Sequence, residues 1–193
     1  MKINRLNESR LEDFITHHYP DDDVKSAIWD YVSGYTTSVN TELRSGRNTL
    51  ARVVTSVLDN AFTDTLPKLD LYRTVDWDFM RNLFGITVKN IDAHIGDVIV
   101  DKGYMSTAQS MVSPWGSTWT DGELVLHIVS DRPVDVVDVN RRLPAEDIDC
   151  EEQNEIILPR GSKLKIVGYK VLKGRGYSRN GTYLIETEYI NNI

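Results

Sequence analysis

The last two thirds of the sequence consist of short segments rich in β-branched and aromatic residues, and this pattern most constrains the fold. Gly, Pro, Asp or Asn residues separate the segments, as expected for strands that alternate with turns. The turn SRNGTY predicts a hairpin. The predicted strands are DLYRTV, GDVIVDKGYMST, ELVLHIVS, VDVVDV, NEIILP, KLKIVGYKVL and TYLIETEY. Strands of this length and spacing predict a compact antiparallel β-sandwich.

The first third of the sequence has the spacing of amphipathic helices. The apolar stripes of three predicted helices are Leu11, Phe14, Ile15 and His18; Val24, Ile28, Tyr31 and Val32; and Leu50, Val53, Val54, Val57, Ala61 and Phe62. A fourth helix is predicted in DWDFMRNLFG, with Gly85 in the usual C-terminal position. Helices followed by strands predict an α+β protein with one domain over residues 1–193, in which residues 1–66 form a helical cover over a strand-rich core of residues 67–193.

The composition restricts the class of protein. A net charge of -7 argues against a protein held on nucleic acid by a general basic surface. A lone cysteine, Cys150, excludes an internal disulfide framework and fits a reducing compartment. The N-terminus lacks the apolar run of a signal peptide, and no segment approaches the roughly 20 apolar residues of a membrane span. We therefore expect a cytoplasmic protein with no membrane partner.

Two acidic sites compete for a functional role. Gln153 and Glu155 share one face of a predicted strand because side chains two residues apart point the same way. Glu186 and Glu188 share a face of the last predicted strand in the same manner. A solvent-facing strand explains either pair without any function, so charge pattern alone does not choose between them.

Arg73 and the Ser106–Thr107 pair each allow two interpretations. A guanidinium inside a strand needs a partner, which is either a structural carboxylate, the commoner case, or an anionic ligand such as phosphate. Ser106 and Thr107 lie where a strand is predicted to give way to a short helix. A helix cap is their simpler role, and orientation of a catalytic carboxylate is the alternative.

Other candidate chemistry is weaker. His17, His18, His94 and His127 show no metal-ligand spacing, so no metal site is predicted. The sequence has neither a G-x-S-x-G elbow nor a phosphate-binding loop. Trp115 and Trp119 lie in SPWGSTWTDG, where packing is the usual role of tryptophan, although such a loop can fold over a flat ring.

Three features stand in an order that resembles a known family: Arg73 on a strand, then the Ser106–Thr107 pair, then Gln153 two residues before Glu155. NEIILPRGSKLKI looks like its catalytic strand and turn, IGDVIVDKGYMST looks like its central Ser-Thr strand, and PWGSTWTDGELVLHI resembles its phage members. With Arg73 before them, these motifs resemble the Arg–Ser–Glu class of mono-ADP-ribosyltransferases over residues 67–193. That class includes the clostridial Rho-modifying exoenzymes, the actin-modifying binary toxins and the head-carried enzyme of T-even phages.

The resemblance implies a fold and a set of site residues. It implies an ADP-ribosyltransferase-like sandwich, and it favours Glu155 over Glu186 and Glu188 as the catalytic acid because Glu155 precedes the ILPRG turn. Ser106 would position Glu155, and position 108 is Ala where the family commonly has Ser. The implied NAD+ contacts are Arg73 with the phosphates, Thr74, Ser106, Thr107 on the nicotinamide ribose side, and Trp115 and Gly116 in the loop over residues 113–122.

The implied activity is NAD+-dependent transfer of ADP-ribose to a macromolecular acceptor, after cleavage of the nicotinamide–ribose bond and without a metal. The resemblance implies that NAD+ is a substrate and that the acceptor is a protein, with nucleic acid as the alternative. It also implies a phage- or toxin-encoded monomer that acts on bacterial or host-cell targets. An NAD glycohydrolase and a non-catalytic phage structural module with the same fold are the competing hypotheses.

The implied acceptor loop is Glu151, Glu152 and Gln153. In the family that the sequence resembles, a Glu two residues before the catalytic acid accompanies modification of arginine. This sequence has Gln153 there, and an amide suits a side-chain amide or a nucleobase edge because it both donates and accepts. We therefore expect an acceptor other than arginine.

Overall fold

The computed structural model describes residues 24–32, 36–47, 51–111, 124–143, 154–173 and 181–190. The helices in these ranges are α1 Val24–Asp30, α2 Thr36–Ser45, α3 Ala51–Leu58, α4 Trp77–Phe84 and α5 Val139–Arg142, with 3-10 turns at Asp59–Ala61 and Ile91–His94. The strands are β1 Asp64–Leu66, β2 Leu69–Val75, β3 Val98–Asp101, β4 Met105–Ala108, β5 Leu124–Ser130, β6 Val134–Asp138, β7 Glu155–Leu158, β8 Ser162–Leu172 and β9 Thr182–Ile190.

The described strands form one sheet in the order β1-β6-β7-β4-β2-β5-β9-β8-β3. All of their pairings are antiparallel, as predicted, except that β9 runs parallel to β5. β7 lies between β6 and β4, so the strand that begins at Glu155 is interior rather than an edge strand. Side chains from strands near both ends of this order, such as Ile99 and Val134, share one apolar cluster, as they would in a sandwich.

The predicted helices and strands mostly agree with the structure. α1 and α3 fall where the apolar stripes place them, whereas α2 was not predicted. α4 lies within DWDFMRNLFG as predicted and ends at Gly85 in the left-handed conformation (φ 71°). The helix predicted over residues 11–18 and the first half of the SRNGTY turn, residues 178–180, lie outside the described residues. β1 begins at Asp64, inside the segment predicted to be helical, because a three-residue strand carries too short a pattern to read from sequence.

One predicted strand is wrong. GDVIVDKGYMST contains two strands, β3 at the edge of the sheet and β4 in its interior, and Ser106 and Thr107 lie within β4 rather than at the start of a helix. The turn between them is fixed by the helical cover. Asp101 accepts two hydrogen bonds from the Arg44 guanidinium, both 2.8 Å, and a Cβ at Gly103 would approach the Asn40 side chain to 2.6 Å.

Two apolar clusters form the core of the fold. The larger cluster fills the space enclosed by the sheet and includes Leu71, Leu126 and Ile185. The other lies between the sheet and helices α1–α3, with residues such as Ile28, Leu58 and Ile157. Glu155 and Ile157 are two residues apart in β7, so Glu155 shares the helix-covered face. No helix within the described ranges is long and apolar enough to cross a membrane.

Candidate functional site

Arg73, Ser106 and Glu155 lie together in a cleft of about 200 Å³. They come from β2, β4 and β7, which are neighbours in the sheet although they are distant in the chain. The register explains the meeting, since Ala108 pairs with Tyr72 on one side and with Glu155 on the other. The same cleft is also lined by Tyr72, Thr74, Thr107, Ala108, Ser110 and Val125.

Glu155 is a largely buried carboxylate at the start of an interior strand. Burial raises the pKa of Glu155, while a hydrogen bond with the Ser106 side chain and the positive charge of Arg73 act in the opposite direction. Asn154, directly before it, has a φ of 47°, in the left-handed region that Asn tolerates better than most residues. The carboxylate is thus held in a poorly hydrated position beside one hydroxyl and one guanidinium.

Arg73 has the environment of an anion-binding residue. Its Nη1 donates to the Ser106 carbonyl at 3.1 Å, and its guanidinium lies 5.8 Å from the centre of the Phe79 ring. Its Nε is buried and has no hydrogen-bond partner among the described residues. Burial lowers the pKa of Arg73. Within the same part of the chain Arg73 forms no ion pair, which disfavours the interpretation of a structural carboxylate partner.

Sequence reasoning missed Tyr31, which reaches this site from the helical cover. Tyr31 is fully buried, its hydroxyl accepts from Asn40 Nδ2 at 3.0 Å, and its side chain is also hydrogen-bonded to Ser106. Burial raises the pKa of Tyr31, so the hydroxyl keeps its proton. In the sequence Tyr31 is one member of an apolar stripe, and the only signal for its second role is Asn40, a polar residue beside Val39 and Leu43 in α2.

The remaining predicted contacts have different positions. Thr107 is buried and donates from Oγ1 to the Ile156 carbonyl at 2.6 Å, so its hydroxyl ties β4 to β7. Thr74 is exposed at the rim of the cleft. Trp115 and Gly116 lie outside the described residues, as do the acceptor-loop residues Glu151, Glu152 and Gln153, and their roles stay predictions.

The rival acids belong to another part of the sheet. Glu186 contacts the His127 ring and accepts from Lys170 Nζ at 2.8 Å, and Glu188 is exposed. His127 Nε2 lies 2.9 Å from Asp70, and His127 Nδ1 contacts Glu186. The carboxylates of Asp70 and Glu186 therefore lie on opposite sides of the imidazole ring and do not converge on one point. Among the described residues, no group of three or more His, Cys, Asp or Glu side chains has the arrangement of a metal site.

Comparisons with known proteins identify the family of the chain. The family model described as ADP-ribosyltransferase exoenzyme matches residues 7–191. Plx2a, an ADP-ribosyltransferase toxin from Paenibacillus larvae, superposes with a TM-score of 0.68 at 17% identity, over 96% of this chain and 97% of that one. A search of curated protein sequences gave no match.

Two further solved structures have the same fold. The C3 exoenzyme of Clostridium limosum superposes with a TM-score of 0.63 at 15% identity, over 95% of each chain. C3stau2 from S. aureus, solved with NAD, superposes with a TM-score of 0.65 at 14% identity, over 98% of this chain and 97% of that one. At such identities the superpositions show a shared fold and nothing finer.

Proposed function

The chain belongs to the ADP-ribosyltransferase exoenzyme family, and from this premise we propose that the cleft between β2, β4 and β7 is where NAD+ is cleaved and ADP-ribose is passed to a protein acceptor. The protein is an NAD+-dependent ADP-ribosyltransferase, and NAD+ is its substrate. The residues proposed to carry the reaction are Arg73, Ser106 and Glu155.

The observation that carries this proposal is the meeting of one largely buried guanidinium and one largely buried carboxylate in a single cleft. NAD+ presents a pyrophosphate that accepts hydrogen bonds and a ribose that becomes positively charged during the reaction. Arg73 suits the pyrophosphate because its Nε has no partner among the described residues and a guanidinium binds phosphate oxygens in a planar fork. Glu155 supplies the negative charge that the ribose requires.

The proposed reaction breaks the bond between the ribose C1′ and the nicotinamide nitrogen. Nicotinamide leaves with the bonding electron pair, and the positive charge moves to the ribose, as in glycoside hydrolysis. The acceptor nucleophile then bonds to C1′ and loses a proton. Glu155 lowers the free energy of the charged state through its carboxylate, and its partial burial strengthens this interaction because little water screens it.

Ser106 is proposed to fix the direction of the Glu155 carboxylate. Its backbone carbonyl receives Arg73 Nη1 at 3.1 Å while its side chain is hydrogen-bonded to both Glu155 and Tyr31. One residue of β4 therefore links the anion-binding group to the acid. A preorganised arrangement of this kind avoids the cost of reorienting dipoles during the reaction.

A pair of matched variants tests the proposal. Glu155→Gln removes the charge of the buried acid, and we expect about a hundredfold or greater loss of nicotinamide release and of label transfer from NAD+ to lysate proteins. Glu188→Gln makes the same chemical change on an exposed face of β9 and should leave both activities at the wild-type rate. The proposal fails if Glu155→Gln stays active, or if Glu188→Gln loses activity while remaining folded.

The same assay separates the competing hypotheses. Nicotinamide release at full rate in buffer, without labelling of any lysate protein or nucleic acid, would identify an NAD glycohydrolase. Complete absence of NAD+ cleavage by the wild-type protein would favour a non-catalytic module. Label that disappears after nuclease treatment would assign the acceptor to nucleic acid instead of protein.

We also propose that the acceptor is a side chain other than arginine, on the ground of Gln153 alone. Mass spectrometry of labelled lysate proteins would identify the modified residue. Gln153→Glu should move modification toward arginine, because a carboxylate can draw a proton from a guanidinium. Arginine as the main acceptor of the wild-type enzyme would contradict this proposal without affecting the assignment of the NAD+ cleft.

A further inference from the structure

A second cleft, of about 600 Å³, lies at the opposite end of the strands that carry the proposed catalytic residues. Lys102 precedes β4, and Arg160 follows β7. β4 and β7 are antiparallel, and Met105 pairs with Leu158. Lys102 and Arg160 therefore lie at the same end of these two strands. Glu155 lies at the other end of β7, about 10 Å from Leu158 for a strand of four residues. Within the part of the chain that the structure describes, the two clefts share no lining residue.

The second cleft is positively charged in a protein of net charge -7. Among the described residues, its walls carry Arg47, Lys102 and Arg160 and one carboxylate, Asp59, which leaves two net positive charges. Asp59 is already engaged, since it accepts from Arg160 Nη2 at 2.7 Å and from the Tyr104 hydroxyl at 2.6 Å. These bonds hold the Arg160 guanidinium in place at the cleft wall. A concave cationic surface of this kind concentrates anions.

Arg47 and Lys102 have no internal role that accounts for them. Both side chains are exposed, and neither has a hydrogen bond or ion pair with any side chain in the described ranges. Arg47 lies just after α2, and Lys102 lies in the turn between β3 and β4. Arg47 and Lys102 come from distant parts of the chain and lie in the same cleft as Arg160, which Asp59 holds in place. Together the three cations form a three-point site for an anionic group.

One wall of the same cleft is flat and apolar. Phe62 is partly buried and stacks on Tyr104, with ring centroids 5.8 Å apart and an angle of 10° between the rings. Pro159 also lines this cleft. Tyr104 supports one face of the Phe62 ring, so the ring is held rigidly, and a second flat ring can pack beside it at low entropic cost.

We propose that this second cleft binds a nucleoside diphosphate or triphosphate, with the phosphates at Arg47, Lys102 and Arg160 and the base against Phe62. Its volume falls within the range of small-molecule sites, about 300–1,000 Å³. The ligand chemistry follows from the combination of the two walls, because phosphate alone does not require the aromatic ring and a free base does not require the cations.

Calorimetric titration of ADP into the full chain tests this site. The Arg73→Ala background removes the main anion donor of the NAD+ cleft, so that remaining binding reports on the second cleft. Adding Arg47→Ala and Lys102→Ala should weaken ADP binding by about tenfold or more. A control that adds Lys68→Ala and Lys89→Ala removes the same charge from exposed positions elsewhere and should leave the affinity unchanged.

Two comparison ligands test the cationic wall and the aromatic wall of the second cleft separately. Adenosine should show no binding at the concentrations that saturate ADP, and pyrophosphate should bind more weakly than ADP. Equal affinity for pyrophosphate and ADP would overturn the contact with Phe62 and with it the nucleotide assignment. An unchanged ADP affinity in the Arg47→Ala, Lys102→Ala protein would overturn the site itself. Neither result affects the proposed reaction, because Arg47→Ala and Lys102→Ala in a chain that keeps Arg73 should leave NAD+ cleavage at the wild-type rate.

Discussion

Replacing Tyr31 with Phe tests whether the helical cover takes part in the reaction. The substitution keeps the ring and its edge contact with Tyr104, where the ring centroids are 5.5 Å apart, and removes only the hydroxyl. Asn40 keeps its bonds to the Tyr104 carbonyl at 3.1 Å and to the Tyr104 N–H at 2.8 Å, so none of its polar atoms is stranded. The hydroxyl is bonded to Asn40 and Ser106 and donates to the Tyr104 carbonyl at 3.5 Å, so its removal should cost about 1–2 kcal/mol of unfolding free energy, or roughly 2–8 °C in Tm.

The kinetic effect of Tyr31→Phe should fall on kcat. Ser106 loses one of the groups that fix its hydroxyl, and about 1 kcal/mol of transition-state stabilisation corresponds to a decrease in kcat of about fivefold. The KM for NAD+ should change little because Arg73 is untouched. Nicotinamide release over a range of NAD+ concentrations measures both constants.

Tyr104→Phe is the matched control for this prediction. It removes another hydroxyl from the same apolar cluster, one that donates at 2.6 Å to Asp59, a residue in the wall of the second cleft. It should lower the Tm by a similar amount and leave kcat unchanged. If Tyr31→Phe lowers the Tm while kcat stays at the wild-type value, or if both variants lose kcat equally, Tyr31 has only a structural role.

Three further predictions concern stability and substrate binding. Since burial raises the pKa of Glu155 in the folded state, its ionisation at neutral pH opposes folding; Glu155→Gln should therefore raise the Tm at pH 7, and thermal melts should show this gain vanish as the pH falls below the usual carboxyl value of 4.5. Arg73→Lys should raise the KM for NAD+ about tenfold or more, because an ammonium lacks the planar fork, and an unchanged KM would contradict the assignment. Asp101→Asn leaves Arg44, whose side chain is 17% exposed, without its carboxylate, and chemical denaturation should show a loss of about 3 kcal/mol.

The elements that were predictable are those whose signals are local. α4 carries its own start and stop, because the Asp76 side chain accepts from the Phe79 N–H and Gly85 adopts the left-handed conformation. The placement of Arg73 and Glu155 on strands could be read from β-branched neighbours in the same way. Their meeting in one cleft followed from the resemblance to a family, since strand order is not encoded locally.

The features that were missed depend on contacts between distant segments. Asn40 and Arg44 in α2 pack against the turn at Gly103 between β3 and β4. The sequence of residues 96–107 alone does not predict these contacts, so it does not predict the turn. Tyr31 reads as an ordinary core residue, because its partner Ser106 belongs to a strand far along the chain. The roles of Trp115 and Gln153, the single-domain organisation, the monomeric state and the cytoplasmic location stay predictions.

The position of β9 has a consequence for how the protein reaches its folded state. β9 lies between β5 and β8, and it pairs in parallel with β5, a strand made much earlier in the chain. Until β9 is in place, β2 and β5 on one side and β8 and β3 on the other have no hydrogen-bonded connection through the sheet. Contacts between residues so far apart in sequence form slowly. Pairing of β9 with β5, which joins the two parts of the sheet, is therefore expected among the late events in folding, and before it β5 presents an unpaired edge to other chains.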